Sequence, residues 1–382
     1  MNNSQRIHNK NITIGYFCPI NPFVDKRAWS GTFFKIREAI EKGGFKVIWI
    51  PTTKDGVLNK LMRKIRERIR GGDRLPIYSW LNSLMIERKL LKQCDVYFFP
   101  GGAQIAPYLS IKRPIIYYTD ATWKIMLNYY YFDLNPRIIL YGDKTEMAAI
   151  QCSINIRSSN WAATSVIEHY NGDANHNYVL EFGANIDERD IKRVQPYLGG
   201  RLNVLFSGVD WKRKGGAIAI DTVEILRRNG IDAHLFFVGI NMDDIPTDYQ
   251  NKEFVSYIGF LDKNNKQQYS KYIEILSSSN LFILPTNAEC SAIVYCEACA
   301  FGLPIYTYDT GGVSNYVIND INGYRLPLNR TAEDFSKKIL STLTCNKQRA
   351  LSDGGIKLYK EKLNWTSWSI RFASILKNEG FI

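Results

Sequence analysis

The chain has 382 residues, 45% of them hydrophobic, which suits two domains of ordinary size with buried cores. No run of 18 or more apolar residues occurs, so no transmembrane helix is expected, and the opening MNNSQRIHNKN carries no apolar leader core. Formal net charge is +12, and the basic excess is eight in residues 1–190 and four thereafter, a balance that favours anionic partners: phosphorylated ligands, a membrane surface or nucleic acid.

Residues 11–18 read as a first strand, followed by a loop over 25–32, a helix over 33–42 closed by Gly43-Gly44, and a strand over 46–50. This order suits a parallel sheet. Gly31 permits close backbone approach to a ligand and Thr32 suits a helix N-cap; the pair fits a site loop or an ordinary turn. Residues 54–74 hold eight basic and three acidic side chains, with Leu58, Leu61, Met62, Ile65 and Ile69 at helical spacing. Such a basic amphipathic helix fits an anionic membrane surface, and equally a surface helix with its stripe on the core. Strands are predicted over 95–100 and 114–119, the second running into Asp120. A carboxylate at the carboxyl end of a parallel strand stands where α/β folds place ligands, and it also suits a helix cap. The aromatic run 129–132 suits packing or stacking on a sugar.

Charges, Pro196 and Gly199-Gly200 cluster over 190–200 and mark a linker. A strand over 202–207 then leads into GVDWKRKGG at 208–216 and a helix through Arg228. The cations Lys212, Arg213 and Lys214 among glycines fit a phosphate-holding loop or a solvated basic one. A strand over 233–239, a turn at 255–261 ending in Phe260 and Leu261, and a helix over 263–278 follow. Residues 280–285 are short, apolar and stopped by proline, as in a buried strand, and 292–301 read as a helix closed by Gly302 and Pro304. Glu289 then lies in the strand-to-helix loop and Glu297 inside the helix, with seven residues between them. Ser291, Ala292, Ile293 and Val294 are small or apolar and leave the backbone N–H groups of the helix start open to an anion. Two solvated glutamates in any strand-helix-strand unit would give the same spacing. The chain has seven cysteines, an odd number that suits reduced thiols in a cytoplasmic setting, and the Cys296-x-x-Cys299 pair inside the helix suits core packing. After a strand over 305–308, the DTGG turn at 309–312 opens a further helix, and the chain ends in an amphipathic helix after Trp365.

The ordered set at 289–323 resembles the signature of retaining glycosyltransferases of family 4, within glycosyl transferases group 1. Its parts are E-x7-E at Glu289 and Glu297, E-A-x-A-x-G-x-P at 297–304, and the G-G to N-G run from Gly311 through Val317 to Gly323. Residues 158–168 and 179–187 are similar to further family segments, the latter with Glu-Phe in place of Pro-Asn. The resemblance implies an α/β chain of GT-B architecture, two Rossmann-like domains with parallel sheets facing across a cleft. It implies an acceptor domain over 1–190, a donor domain over 191–365 and a last helix over 366–382 crossing back to the first. It further implies retaining transfer of a sugar from a nucleotide-sugar to a glycan or lipid-linked acceptor, in cell-surface polysaccharide synthesis. No cofactor or essential metal is expected, and the chain is expected in the cytoplasm or, through residues 54–74, on the inner face of the plasma membrane.

Residue by residue, the resemblance puts Gly31 at the donor and Asp120 where many members have a histidine against the donor sugar. Gly208 and Lys214 match G-R-x4-K-G; Val209 stands in the arginine position, and Arg213 or Lys212 would replace that charge on the diphosphate. Glu297 would meet ribose hydroxyls, Glu289 the sugar, residues 291–294 the donor at the helix start, and the main chain at Phe260 and Leu261 the base. Ala292 replaces a common glycine. Val209, Asp120 and Ala292 leave room for an alternative, a catalytically inactive or partner-dependent nucleotide-sugar-binding protein of the same fold. No G-x-G-x-x-G follows the first strand, against a nicotinamide dehydrogenase, and no recognised nucleic-acid-binding module is present.

Overall fold

A computed structural model describes residues 12–53 and 75–382; the basic stretch 54–74 lies outside the described residues. The chain forms two compact units, Met1–Leu180 with Trp368–Ile382, and Glu181–Ser367.

In the first unit, β1 (Thr13–Cys18), β2 (Lys46–Pro51), β3 (Val96–Pro100), β4 (Ile115–Thr119), β5 (Ile154–Arg157) and β6 (Asn177–Val179) form a parallel sheet in the order β2-β1-β3-β4-β5-β6. Every residue of β3 and β4 is buried, as expected of strands covered on both faces. Phe17 stacks on Phe99 at 4.1 Å in the core. The helix Thr32–Lys42 departs from the sequence expectation at its start. Thr32 is already helical, and Gly31 takes the N-cap position at φ 85 after Trp29 and Ser30 at φ 50 and 57. Three successive left-handed residues turn the chain sharply into the helix, and glycine meets the last at no steric cost.

Residues 368–382 belong to this unit. Trp368 is fully buried, stacks on Phe372 at 4.9 Å and donates from Nε1 to the Tyr118 hydroxyl at 3.0 Å. That hydroxyl donates in turn to the Leu180 carbonyl oxygen at 2.8 Å.

The second unit holds β7 (Leu202–Ser207), β8 (Ala233–Val238), β9 (Val255–Gly259), β10 (Leu281–Leu284), β11 (Ile305–Tyr308) and β12 (Gly323–Leu326). They form a parallel sheet in the order β12-β11-β10-β7-β8-β9. This is the doubly wound order, whose direction reverses between β7 and β10. The chain enters the unit at Glu181, ahead of the linker read at residues 190–200. Ala184, Ile186 and Val194 are buried in its core, so the polar, glycine-rich stretch lies within the unit and does not separate two. Among the described residues no helix is long and apolar enough to cross a membrane.

Candidate functional site in the second unit

The loops leaving β7 and β10 emerge side by side where the strand order reverses, the position at which open α/β sheets place ligands. Gly215 seats one loop on the other. It sits at φ 72, and a Cβ there would lie 2.1 Å from the Pro285 carbonyl oxygen, so both conformation and space require glycine. Around this contact the Arg213 carbonyl oxygen accepts from the Asn287 N–H at 2.8 Å and from Thr286 Oγ1 at 3.1 Å. The Arg213 guanidinium donates from Nη1 to the Ala288 carbonyl oxygen at 3.2 Å and lies near Asp210. Gly208 lets the first loop pass close to Lys214, since a Cβ would meet Lys214 Cγ at 2.9 Å.

Lys214 bridges the two loops. Its Nζ donates to Glu289 Oε2, with Lys214 only 9% and Glu289 6% exposed. Out of water, each charge needs the other as countercharge. The DTGG turn completes the cradle: the Gly312 N–H donates to the Glu289 carbonyl oxygen at 3.1 Å, and Thr310 Oγ1 donates to the Asn287 carbonyl oxygen at 3.2 Å. The next helix, Ile293–Phe301, has Ala292 at its N-cap position and no side-chain cap. Ser291 Oγ donates to the Cys290 carbonyl oxygen at 2.6 Å, and Ser291, Ala292 and Ile293 are buried while Val294 is half-buried.

Glu297, in that helix, has a different set of partners. It is fully buried; Lys263 Nζ donates to its Oε1 and the Tyr272 hydroxyl donates to its Oε2 at 2.8 Å. Lys263 Nζ also lies 5.0 Å from the Tyr272 ring centroid. Burial, and then the Glu297 charge, push the Tyr272 phenol up, which keeps it protonated as a donor. A carboxylate has about four lone-pair sites, so Glu297 retains acceptor capacity beyond these two bonds.

Lys263 and Tyr272 were not singled out in the sequence. The helix read over residues 263–278 begins instead at Lys266, because Asn265 caps it through bonds from the N–H groups of Gln267 and Gln268 at 3.0 and 3.1 Å. That leaves Lys263 in the loop beyond β9, free to reach Glu297. Phe260 and Leu261 lie in the same loop, Phe260 53% exposed and Leu261 half-buried. Val209 is 63% exposed, and Arg213 brings a guanidinium to the same loop.

The first unit carries the other two positions. Gly31 lies in the loop after β1. Asp120 follows β4 directly and is half-buried; it is not the cap of the next helix, Trp123–Met126, whose N-cap is Thr122. Burial pushes down the guanidinium of Arg157, which ends the neighbouring strand and is fully buried, and the charge of Asp120 is among those that oppose this. A lone arginine at a strand end was the only sequence signal for that residue. In the aromatic run, Tyr129 packs on Trp161 at 5.2 Å and Tyr131 on Trp123 at 5.3 Å.

Cys296 donates to the Phe182 carbonyl oxygen at 3.3 Å and Cys299 accepts from Asn322 Nδ2 at 3.1 Å. Burial pushes the Cys299 thiol up to about 12, so the pair packs as protonated thiols. Among the described residues no group of three or more His, Cys, Asp or Glu side chains is placed to hold a metal ion.

Residues 187–356 match the family model of glycosyl transferases group 1. Over those residues the chain is similar to glycosyl transferases group 1. The matched stretch spans the Lys214–Glu289 cradle and Glu297. A curated sucrose synthase of Melioribacter roseus is 27% identical over 146 residues, 37% of this chain, and the match spans only 18% of that relative. Among solved structures, a glycosyltransferase from Rickettsia africae superposes with a TM-score of 0.69 at 15% identity, covering 97% of this chain and 100% of that one. A sucrose-phosphate synthase from Thermosynechococcus elongatus gives 0.68 at 15% identity, covering 96% and 99%. Anabaena HepE, solved with UDP and glucose, gives 0.64 at 14% identity over 96% and 99%. At these identities the likeness shows the fold, GT-B, with two six-stranded parallel sheets among the described residues.

Proposed function

We propose that the chain is a retaining glycosyltransferase that moves a sugar from a nucleotide-sugar to a glycan or lipid-linked acceptor without an essential metal ion. The observation that carries this reading is the buried Lys214–Glu289 pair at the mouths of β7 and β10. Bond cleavage leaves negative charge on the departing diphosphate, and the Lys214 ammonium with the Arg213 guanidinium would take it up. Glu289, released from Lys214 by the incoming phosphate, would orient sugar hydroxyls and ease the positive charge of an oxocarbenium-like transition state. No protein nucleophile is needed when the acceptor attacks on the leaving-group face and a phosphate oxygen accepts its proton. Glu297 would hold the ribose, and the main chain at Phe260 and Leu261 the base. To the first unit we assign acceptor binding, with Gly31 at its first helix start and Asp120 at the end of β4 acting towards the sugar. A role in cell-surface polysaccharide synthesis, at the cytoplasmic face of a membrane engaged through residues 54–74, completes the reading.

A second reading, nucleotide-sugar binding without transfer, is favoured by Val209, exposed to solvent where the resemblance expects a diphosphate-gripping arginine. One titration separates the two. UDP-, GDP-, ADP- and TDP-sugars are tested for binding and slow hydrolysis, beginning with UDP-glucose, with Glu297→Ala alongside. A nucleotide that binds, is hydrolysed and is lost in Glu297→Ala supports transfer; binding with no hydrolysis or transfer to any acceptor supports the second reading; no binding at all overturns both.

A further inference from the structure

The edge strand β12 and the helix Ala332–Leu340 enclose a solvent-open pocket of about 400 Å³. It lies at the far edge of the second unit's sheet, separated from β10 by β11, and shares no lining residue with the Lys214–Glu289 cradle. Four cations line it, Arg325, Arg330, Lys337 and Lys338, against the single carboxylate of Asp334. That carboxylate is committed to the helix start, where its Oδ2 accepts from the Thr331 N–H at 3.0 Å, and its Oδ1 lies 3.8 Å from Arg330 Nη1. Lys337 and Lys338 form no ion pair among the described residues; Lys338 lies over the Tyr324 ring, 4.6 Å from its centroid. Arg325 is held by a bond from Nη1 to Asp309 outside the pocket, while its Nε is buried with no hydrogen-bond partner among the described residues.

Part of this is ordinary surface chemistry, since lysines in a last helical turn complement the helix dipole. The guanidinium goes further. Held through Nη1 by Asp309, it is a side chain with little freedom, which loses little more when its outer edge binds. The geometry points to a binding site for a phosphomonoester or diphosphate group on a ligand of sugar-phosphate size. A phosphate dianion answers the excess of positive charge better than a single carboxylate, its oxygens match the guanidinium fork, and the volume falls in the range of small-molecule pockets. The site shares no lining residue with the donor cradle, the two being linked where Arg325 meets Asp309 of the DTGG turn, and it would stand if the transfer reading fell.

The group could be carried by a free sugar phosphate or by a lipid headgroup, and two arms distinguish them. The full chain is titrated with glucose 6-phosphate, with glucose as control, and separately floated with phosphatidylcholine vesicles with and without phosphatidic acid. Each arm is repeated with Arg330→Gln/Lys338→Gln and with Arg213→Gln/Lys214→Gln. Expected is binding in one arm that weakens roughly tenfold or more in the first double variant, persists in the second, and fades as salt shortens the Debye length. No binding in either arm up to about 10 mM ligand overturns the proposal, because affinity weaker than that is below about 3 kcal/mol of binding free energy. Binding that survives Arg330→Gln/Lys338→Gln also overturns it, by placing the anion at another site such as the donor cradle or residues 54–74. Hydrogen exchange over residues 319–341 confirms that the first variant remains folded.

Discussion

Lys214 is the countercharge that makes a buried Glu289 tolerable and, in the proposed mechanism, a cation for the departing diphosphate. The two roles separate by substitution. Lys214→Met takes the cation from a carboxylate that is 6% exposed and is expected to cost about 3 kcal/mol of stability, read from urea unfolding. Lys214→Met/Glu289→Leu should recover most of that loss while turnover stays low. Glu289→Gln keeps the shape and removes the charge; turnover should fall on the order of 10²-fold, and near-normal turnover would remove Glu289 from the mechanism. At Glu297, Tyr272→Phe deletes a hydroxyl donating to a fully buried carboxylate, an expected loss of about 2 kcal/mol by the same unfolding measurement.

At the scale of elements, the loop from β7 depends on where glycine is obligatory. Gly215 and Gly230 both have positive φ, 72 and 83, but a Cβ at Gly215 would strike the Pro285 carbonyl oxygen whereas nothing lies within 4 Å of one at Gly230. Gly230→Ala should therefore cost only the left-handed strain, about 1 kcal/mol. Gly215→Ala should cost clearly more, beyond about 3 kcal/mol, and should also disturb nucleotide binding, because the two loops can no longer meet. Thermal midpoints of the two variants give the comparison directly. The same loops show what a sequence can reveal. The strands were readable because parallel strands covered on both faces are short unbroken apolar runs, and Glu289 was readable because its loop and helix are local. Lys263 was not, because its bond to Glu297 joins residues 34 apart through the strand order and depends on the Asn265 cap. The unit boundary was misplaced because Pro196, Gly199 and Gly200 have linker composition, while the buried Ala184, Ile186 and Val194 that decide the matter are unremarkable one by one.

For the whole molecule, the end of the chain is fastened to the first unit by more than apolar packing. Glu379 accepts from His176 Nδ1 at 2.8 Å and from the Tyr178 hydroxyl at 2.6 Å. The hydrogen bond from His176 to Glu379, and then the Glu379 charge, raise the imidazole above its ordinary value of 6.5. A raised folded-state value makes this contribution complete below 6.5 and lost as pH rises through the folded value. Wild type should thus melt above His176→Gln in mild acid and converge with it in alkali; a gap independent of pH would contradict the assignment. The packing of Trp368 and Phe372 against Tyr118 and Phe98 also bears on how the protein is made. A chain leaves the ribosome from its amino end, so Glu181–Ser367 is complete before the residues that finish the first unit's core have been translated. The usual order, in which the amino-terminal domain folds first, is then reversed. Nascent chains ending at residue 367 and extended by a linker long enough to clear the exit tunnel should hold a protease-resistant second unit and a first unit still open to digestion, and the first should close once residues 368–382 are included and have emerged.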